Sequence, residues 1–109
     1  MSLFAVIREA SLGWAAGGIN DQPALDEHAQ FMNGLAKKGV VLLAGPLAGT
    51  EHGRVRVLLI ADGEDEAGIH QHLVDDPWLA SQQLLTVSVE PWRILVGEER
   101  LATLTAQES

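Results

Sequence analysis

The sequence LDEHAQFMNGLAKKGVVLLAGPL, residues 25–47, contains the clearest secondary-structure signals of this chain. Its first half repeats apolar residues every three or four positions, which is the spacing of one face of an α-helix. Two lysines followed by Gly39 are typical of a helix end. The second half, residues 40–47, is an apolar run closed by Gly-Pro, which indicates a strand buried on both faces. We therefore expect an amphipathic helix that leads directly into a buried strand.

Outward from this stretch, the pattern predicts four strands and two helices in the order β-α-β-β-α-β. Asn20 or Asp21 is expected to cap the first helix, with Pro23 in its first turn. The second helix follows an acid-rich turn, and Pro77 is expected to end it. The expected strands are residues 4–8, 40–47, 54–61 and 84–94. This order predicts an α+β domain with an antiparallel sheet and two helices on one face.

The far face of this sheet is also apolar. In the strand at 54–61, Val55, Val57 and Leu59 point to one face, and Leu58 and Ile60 point to the other. The helices cover one face only, so a second copy of the chain is the simplest cover for the other, and we expect a homodimer. The alternative is that the tail folds across this face.

Composition limits the class of protein. The 109 residues fit one domain, expected at 1–97, with a polar tail at 98–109. The net charge of −8 makes nucleic acid an unsuitable partner. There is no cysteine, so disulfides and thiolate chemistry are excluded. Neither a signal peptide nor an apolar run of about 20 residues is present, so we expect no membrane span and a cytoplasmic protein.

His28 and Asp76 are the strongest candidates for catalysis. A histidine can move a proton near neutral pH, and a carboxylate beside it would fix its tautomer. His28 lies within the apolar stripe of the first helix. The residues alone leave plainer alternatives open, namely a core-edge histidine satisfied by a backbone carbonyl and a turn or N-cap aspartate before Pro77.

Three further residues are candidates for substrate binding. Arg8 could hold a carboxylate or phenolate, or could face solvent at the end of its strand. Trp14 and Trp78 could wall an aromatic pocket, or could be core or dimer anchors, which is the interpretation preferred for Trp92.

No metal or cofactor is expected. His70 and His72 are two residues apart on a helix and cannot share one ion, and adding His52 and Asp75 gives no recognised spacing. The glycines at 13–18 match neither a phosphate loop nor a dinucleotide fingerprint.

Three segments in order resemble the YCII-related family of the dimeric α+β barrel superfamily. They are the helix and strand at 28–47, the sequence Asp75-Asp76-Pro77-Trp78, and the strand at 84–97. The similarity covers residues 3–97. It implies a ferredoxin-like fold that pairs into a dimeric barrel, and a cleft in which His28 and Asp76 form a catalytic dyad. One relative in the family is a dehydrochlorinase of a chlorinated hydroquinone, and the superfamily includes muconolactone isomerases and monooxygenases of antibiotic biosynthesis.

Two functions from different classes are therefore considered. The first is a small lyase or isomerase in which His28 transfers a proton and Asp76 orients it, acting on an aromatic, lactone or carbonyl-bearing molecule in an apolar cleft. The second is a non-catalytic module that binds a small ligand or serves as a dimeric interaction domain. In this module the pair of His28 and Asp76 would have a structural role only. The glycine-rich loop around Trp14 departs from simpler family members and could shape or close a pocket.

Overall fold

A four-stranded antiparallel sheet in the order β2-β3-β1-β4 forms the centre of the molecule. The computed structural model describes residues 2–50 and 54–101. The strands are β1 (Leu3–Ala10), β2 (Val41–Pro46), β3 (Arg56–Asp62) and β4 (Leu84–Pro91). The helices are α1 (Leu25–Lys37), α2 (Glu66–Leu73) and a short α3 (Pro77–Ala80), and a 3₁₀ turn covers Ile19–Asp21. The expected β-α-β-β-α-β order is confirmed, with α3 as an addition.

The core lies between one face of the sheet and the helices. At its centre, Val6 of β1 pairs with Leu59 of β3 and Val89 of β4. Leu35 of α1 and Ile69 of α2 pack against the same face, as the sequence predicts for two helices on one side. The buried core cluster is Phe4, Val6, Leu35, Val41, Leu59, Ala61, Ile69, Leu73 and Val89.

The alternation along β1 places a charged residue on this core face. Phe4 and Val6 face the helices, and Arg8 follows them two residues later, also buried. The pairing of β1 with β4 shifts register between Ile7 and Arg8, so one residue of β4 is extra at this point. Bulges of this kind change the direction of side chains and often lie beside functional sites.

The start of α1 differs from the prediction. The residue before the helix is Ala24, in the left-handed region at φ 61°, and neither Asn20 nor Asp21 caps it. Asp21 instead ends the 3₁₀ turn and accepts a hydrogen bond from the Gly18 amide at 2.8 Å. Pro23 explains the difference, because it disfavours helical geometry in the preceding residue. Gln22 is accordingly extended, and the left-handed Ala24 then separates Pro23 from the helix, which begins at Leu25.

The segment around Pro77 also differs from the prediction. The second helix ends at Leu73, and Pro77 begins α3 at a first-turn position, where its missing N–H costs nothing. The last strand ends at Pro91, short of the expected Ile94. The predicted tail at 98–109 lies outside the described residues from position 102 onward.

The face of the sheet away from the helices has exposed apolar side chains in the single chain, beside the charged residues Glu9 and Glu90. Leu43 of β2 is 55% exposed and pairs with Ile60, and Leu85 of β4 is 46% exposed and pairs with Glu9. The prediction that β2 is buried on both faces is therefore wrong for one chain alone. Within the described ranges, no helix has the length and apolarity that a membrane crossing requires.

Candidate active site

One buried carboxylate connects three elements of the fold. Asp76 is the N-cap of α3, where its Oδ1 accepts a hydrogen bond from the Trp78 amide at 3.0 Å. The same oxygen lies 2.8 Å from Nδ1 of His28 on α1. Its Oδ2 accepts a 2.7 Å bond from Nη1 of Arg8 on β1. The sequence-predicted residues His28 and Asp76 therefore meet, although 48 positions separate them.

The surroundings of Asp76 keep it ionised. Burial raises the pKa of its carboxyl, but hydrogen bonds from His28, the Trp78 amide and Arg8, together with the charge of Arg8, outweigh that effect. The pKa of Asp76 therefore lies below its ordinary value, and the group is a carboxylate at neutral pH.

The ionised carboxylate determines the tautomer of His28. A carboxylate can only accept hydrogen bonds, so Nδ1 of His28 must bear the proton that lies between them. The lone pair of a neutral imidazole is then on Nε2, which has no hydrogen-bond partner among the described residues. The ring also stacks on the indole of Trp78, with centroids 3.8 Å apart and planes 5° from parallel. His28 is therefore held in one orientation by a charge and by a ring face.

The structure contradicts the alternative in which Arg8 faces solvent at the end of its strand. Its side chain is 1% exposed and forms an ion pair with Asp76 inside the protein. That pair uses only Nη1, and both Nε and Nη2 are buried without a hydrogen-bond partner among residues 2–50 and 54–101.

The two tryptophans have different positions. Trp78 is fully buried between His28 and the edge of Trp14, and its Nε1 donates to the Pro23 carbonyl at 2.9 Å. Trp14 is half-buried, with its ring centroid 5.7 Å from that of Trp78. Trp92 lies elsewhere, in a depression formed with Leu3 and Arg93.

Two buried glutamines, Gln22 and Gln83, hold the glycine-rich loop, and neither was predicted from the sequence. Gln22 accepts from the Ala15 amide and donates to the Ala15 carbonyl, both at 2.8 Å. Gln83 donates to the Pro23 carbonyl at 3.1 Å. A polar residue in a loop or at a strand start is usually exposed, so only the folded structure identifies these two. The loop around Trp14 is consequently tied to the body of the protein.

Arg8, His28 and the two tryptophans Trp14 and Trp78 line a cavity of about 200 Å³. Its wall is apolar apart from Arg8 and His28, and Trp14 and Trp78 both contribute to it. The remaining lining residues are Ile19, Met32, Ala44, Gly45, Pro46, Val57, Leu59 and Leu84. All three residues predicted to bind substrate therefore line one cavity, together with His28.

His70 and His72, two of the histidines considered for metal binding, are not among the residues that line this cavity. His70 is 3.6 Å from Glu66 of the same helix, and His52 lies outside the described residues. Across the described positions, no three histidine or carboxylate side chains are grouped as a metal ion would need.

Comparisons with known proteins address the fold. No protein-family model and no curated protein matches the chain. Among solved structures, the chain is similar to 5-chloro-2-hydroxyhydroquinone dehydrochlorinase (TftG) from Burkholderia phenoliruptrix AC1100, in complex with 2,5-dihydroxybenzoquinone. The TM-score is 0.52 at 21% identity, and the match covers 89% of this chain and 97% of the other. The chain therefore has the ferredoxin-like α+β fold of that structure.

Proposed function

We propose that this protein is a small-molecule enzyme of the lyase or isomerase type, related to the YCII-related family, in which His28 transfers a proton and Asp76 orients it. The observation that carries the proposal is the 2.8 Å contact between His28 Nδ1 and a buried, ionised Asp76. This contact leaves Nε2 as the basic nitrogen of a histidine that lines an apolar cavity. An imidazole held in this way is arranged as a general base.

The cavity limits the size of the substrate. A cavity of roughly 150 Å³ lined by apolar side chains holds one benzene molecule, and this one measures about 200 Å³. A single ring with small substituents therefore suits it, whether aromatic, lactone or another carbonyl compound. The ligand named for the similar structure, 2,5-dihydroxybenzoquinone, is also a single ring. This supports the substrate class by analogy of fold.

The proposed step is a proton abstraction. Nε2 of His28 takes a proton from a carbon or oxygen of the substrate, and the electron pair stays on the substrate as an enolate or phenolate. An isomerase returns the proton to a different atom, whereas a lyase expels a leaving group from the neighbouring carbon. In both cases Asp76 stabilises the imidazolium that forms. Such chemistry needs no cofactor, and we propose that the enzyme acts in the cytoplasm as a homodimer.

The first test measures turnover of single-ring substrates. The purified protein is incubated in D₂O with chlorinated hydroquinones, unsaturated lactones and cyclic enones, and deuterium uptake and chloride release are followed. For any compound turned over, His28→Gln is expected to lower kcat by about 100- to 10,000-fold, the usual contribution of a general base. Full activity in His28→Gln would contradict the proposal.

A matched control separates this effect from loss of any histidine. His72 is an exposed residue of α2, away from the cavity. His72→Gln should keep wild-type kcat and KM. A similar loss in both variants would point to damage of the fold, not to removal of the base.

A second candidate function is favoured by the contacts of Asp76. This carboxylate connects β1, α1 and α3. The pair of His28 and Asp76 could therefore stabilise the fold of a non-catalytic ligand-binding or interaction module. In that case His28→Gln would lower the free energy of unfolding substantially, and the wild type would turn over no compound of the panel.

A further inference from the structure

The buried guanidinium of Arg8 has more donors than the protein uses. The Asp76 carboxylate gives one oxygen to His28 and the Trp78 amide, and the other to Nη1 of Arg8. An arginine–carboxylate pair more often forms two parallel bonds. Here Nε and Nη2 of Arg8 are buried with no partner among the residues that the structure describes. Buried donors are nearly always paired, so two free ones on a single charged group need an explanation.

The cavity offers that explanation. Arg8 and His28 both line it, and the rest of its wall is almost entirely apolar. Asp76 is not part of the lining, so no negative side chain is presented to a ligand. A cationic ligand would therefore find no acidic side chain in the lining, because Asp76 is paired with Arg8 and lies outside it. A purely apolar ligand would leave two donors of Arg8 unpaired.

We propose that Arg8 forms an anion subsite, and that the substrate has a carboxylate, phenolate or enolate oxygen which accepts hydrogen bonds from Nε and Nη2. This inference rests on the proposed function, because it assigns the substrate class of the same cavity. The planar guanidinium matches a planar oxyanion, which can accept two N–H bonds at once. The bound anion would lie beside the arginine while the reacting atom of the ring faces Nε2 of His28.

The two roles divide the cavity between its two basic side chains. Arg8 cannot lose its proton and serves to hold charge, whereas His28 can accept a proton and serves to react. An enolate or phenolate formed by proton abstraction would place new negative charge beside Arg8. The guanidinium would then stabilise the product of that step as well as the bound substrate.

The test uses two probes of equal size, benzoate and benzamide, at pH 7.5. Their dissociation constants are measured by NMR titration of the wild-type protein, and the side-chain Nε–H signal of Arg8 is followed. That signal is assigned by its absence in Arg8→Lys. We expect benzoate to bind at least about tenfold more tightly than benzamide, as a bond to a charged group allows, and to shift the Nε–H signal.

Two variants assign the preference to Arg8. Arg8→Lys keeps a positive charge for Asp76 but loses the fork, so the preference for benzoate should fall severalfold while the amide spectrum stays folded. His28→Gln removes the other polar group of the lining and should keep the preference. A preference that disappears in His28→Gln, or that stays unchanged in Arg8→Lys, would overturn the assignment.

The wild-type measurement alone can also overturn it. Equal affinity for the two probes, with an unmoved Arg8 signal, would mean that the spare donors are met by buried water and not by a ligand. Because this measurement needs no turnover, it separates the two proposals. A clear benzoate preference without any enzymatic activity would leave the subsite standing and remove the proposed function. Turnover without that preference would remove the subsite alone.

Discussion

Asp76 performs three tasks with two oxygens: it caps α3, pairs with Arg8 and binds His28. A buried ion pair adds little stability compared with a well-packed apolar pair, because both charges lose their hydration. Removing one member costs much more, since the other is then left buried and uncompensated. Because of this asymmetry, loss of Asp76 is expected to lower the stability of the fold. The same residue also orients His28 through its hydrogen bond.

Asp76→Asn should therefore destabilise the protein by ~3–5 kcal/mol, the cost of leaving a buried charge unpaired. Loss of the helix cap would contribute little, because asparagine caps helices as well as aspartate does. Urea unfolding measures the change, and Asp75→Asn is the matched control. Asp75 is the exposed neighbour, so its substitution should change stability by less than about 0.5 kcal/mol. Equal stability of Asp76→Asn and the wild type would refute the ion-pair account.

The lowered pKa of Asp76 predicts how the free energy of unfolding depends on pH. Because the pKa of Asp76 is lower in the folded protein than in the unfolded chain, its contribution is present in full above the unfolded value of about 3.9. It is lost as the pH falls through the lower folded value. The difference in unfolding free energy between the wild type and Asp76→Asn should thus shrink below about pH 4. A difference that stays constant down to pH 2 would contradict the lowered pKa.

Some of these residue positions could be predicted and others could not. The resemblance brought His28 and Asp76 together, since spacing alone cannot join residues so far apart. A solvent-facing Arg8 was left open as an alternative, although the alternation from Phe4 and Val6 already indicated its inward direction. The free donors of Arg8 could not be foreseen, because they depend on how Asp76 divides its oxygens among partners from other elements.

Among the elements of the fold, the glycine-rich loop is held by hydrogen bonds and by a close contact between its backbone at Gly13 and the backbone of Ser81 and Gln82. The Gly13 amide donates to the Gln82 carbonyl at 2.8 Å, which holds the loop against the turn after α3. A Cβ atom on Gly13 would lie 2.1 Å from the Ser81 carbonyl oxygen. Composition predicted a loop here, but it could not show that this glycine is needed for a backbone contact.

A pair of glycine substitutions tests this contact. Gly13→Ala should destabilise by at least about 1–3 kcal/mol, because the new methyl group meets backbone that cannot move aside. Gly34→Ala is the control, since a Cβ atom there meets nothing within 4 Å and the residue lies inside α1. That variant should gain about 0.5–1 kcal/mol from helix propensity. Thermal unfolding of both variants decides the matter, and a neutral Gly13→Ala would show that the loop is not held at this point.

For the whole molecule, the order of elements was predictable because each strand and helix has its own apolar period and its own stop residues. The additional helix α3 was missed because Pro77 was taken as an end, whereas proline serves equally well as the first residue of a helix. The open sheet face was foreseen in outline from the two-sided apolar pattern of the central strands. The pattern of one chain does not specify what covers this face.

We expect that cover to be a second copy of the chain. An apolar sheet face with Leu43 and Leu85 exposed would favour association in water. Light scattering after gel filtration should give twice the 11.7 kDa mass of the chain. Leu43→Lys, which places a charge on this face, should shift the protein towards the monomer. Leu12→Lys changes an exposed leucine of the loop and should keep the dimer. A monomeric wild type, or an unchanged dimer in Leu43→Lys, would mean that this face is not the interface.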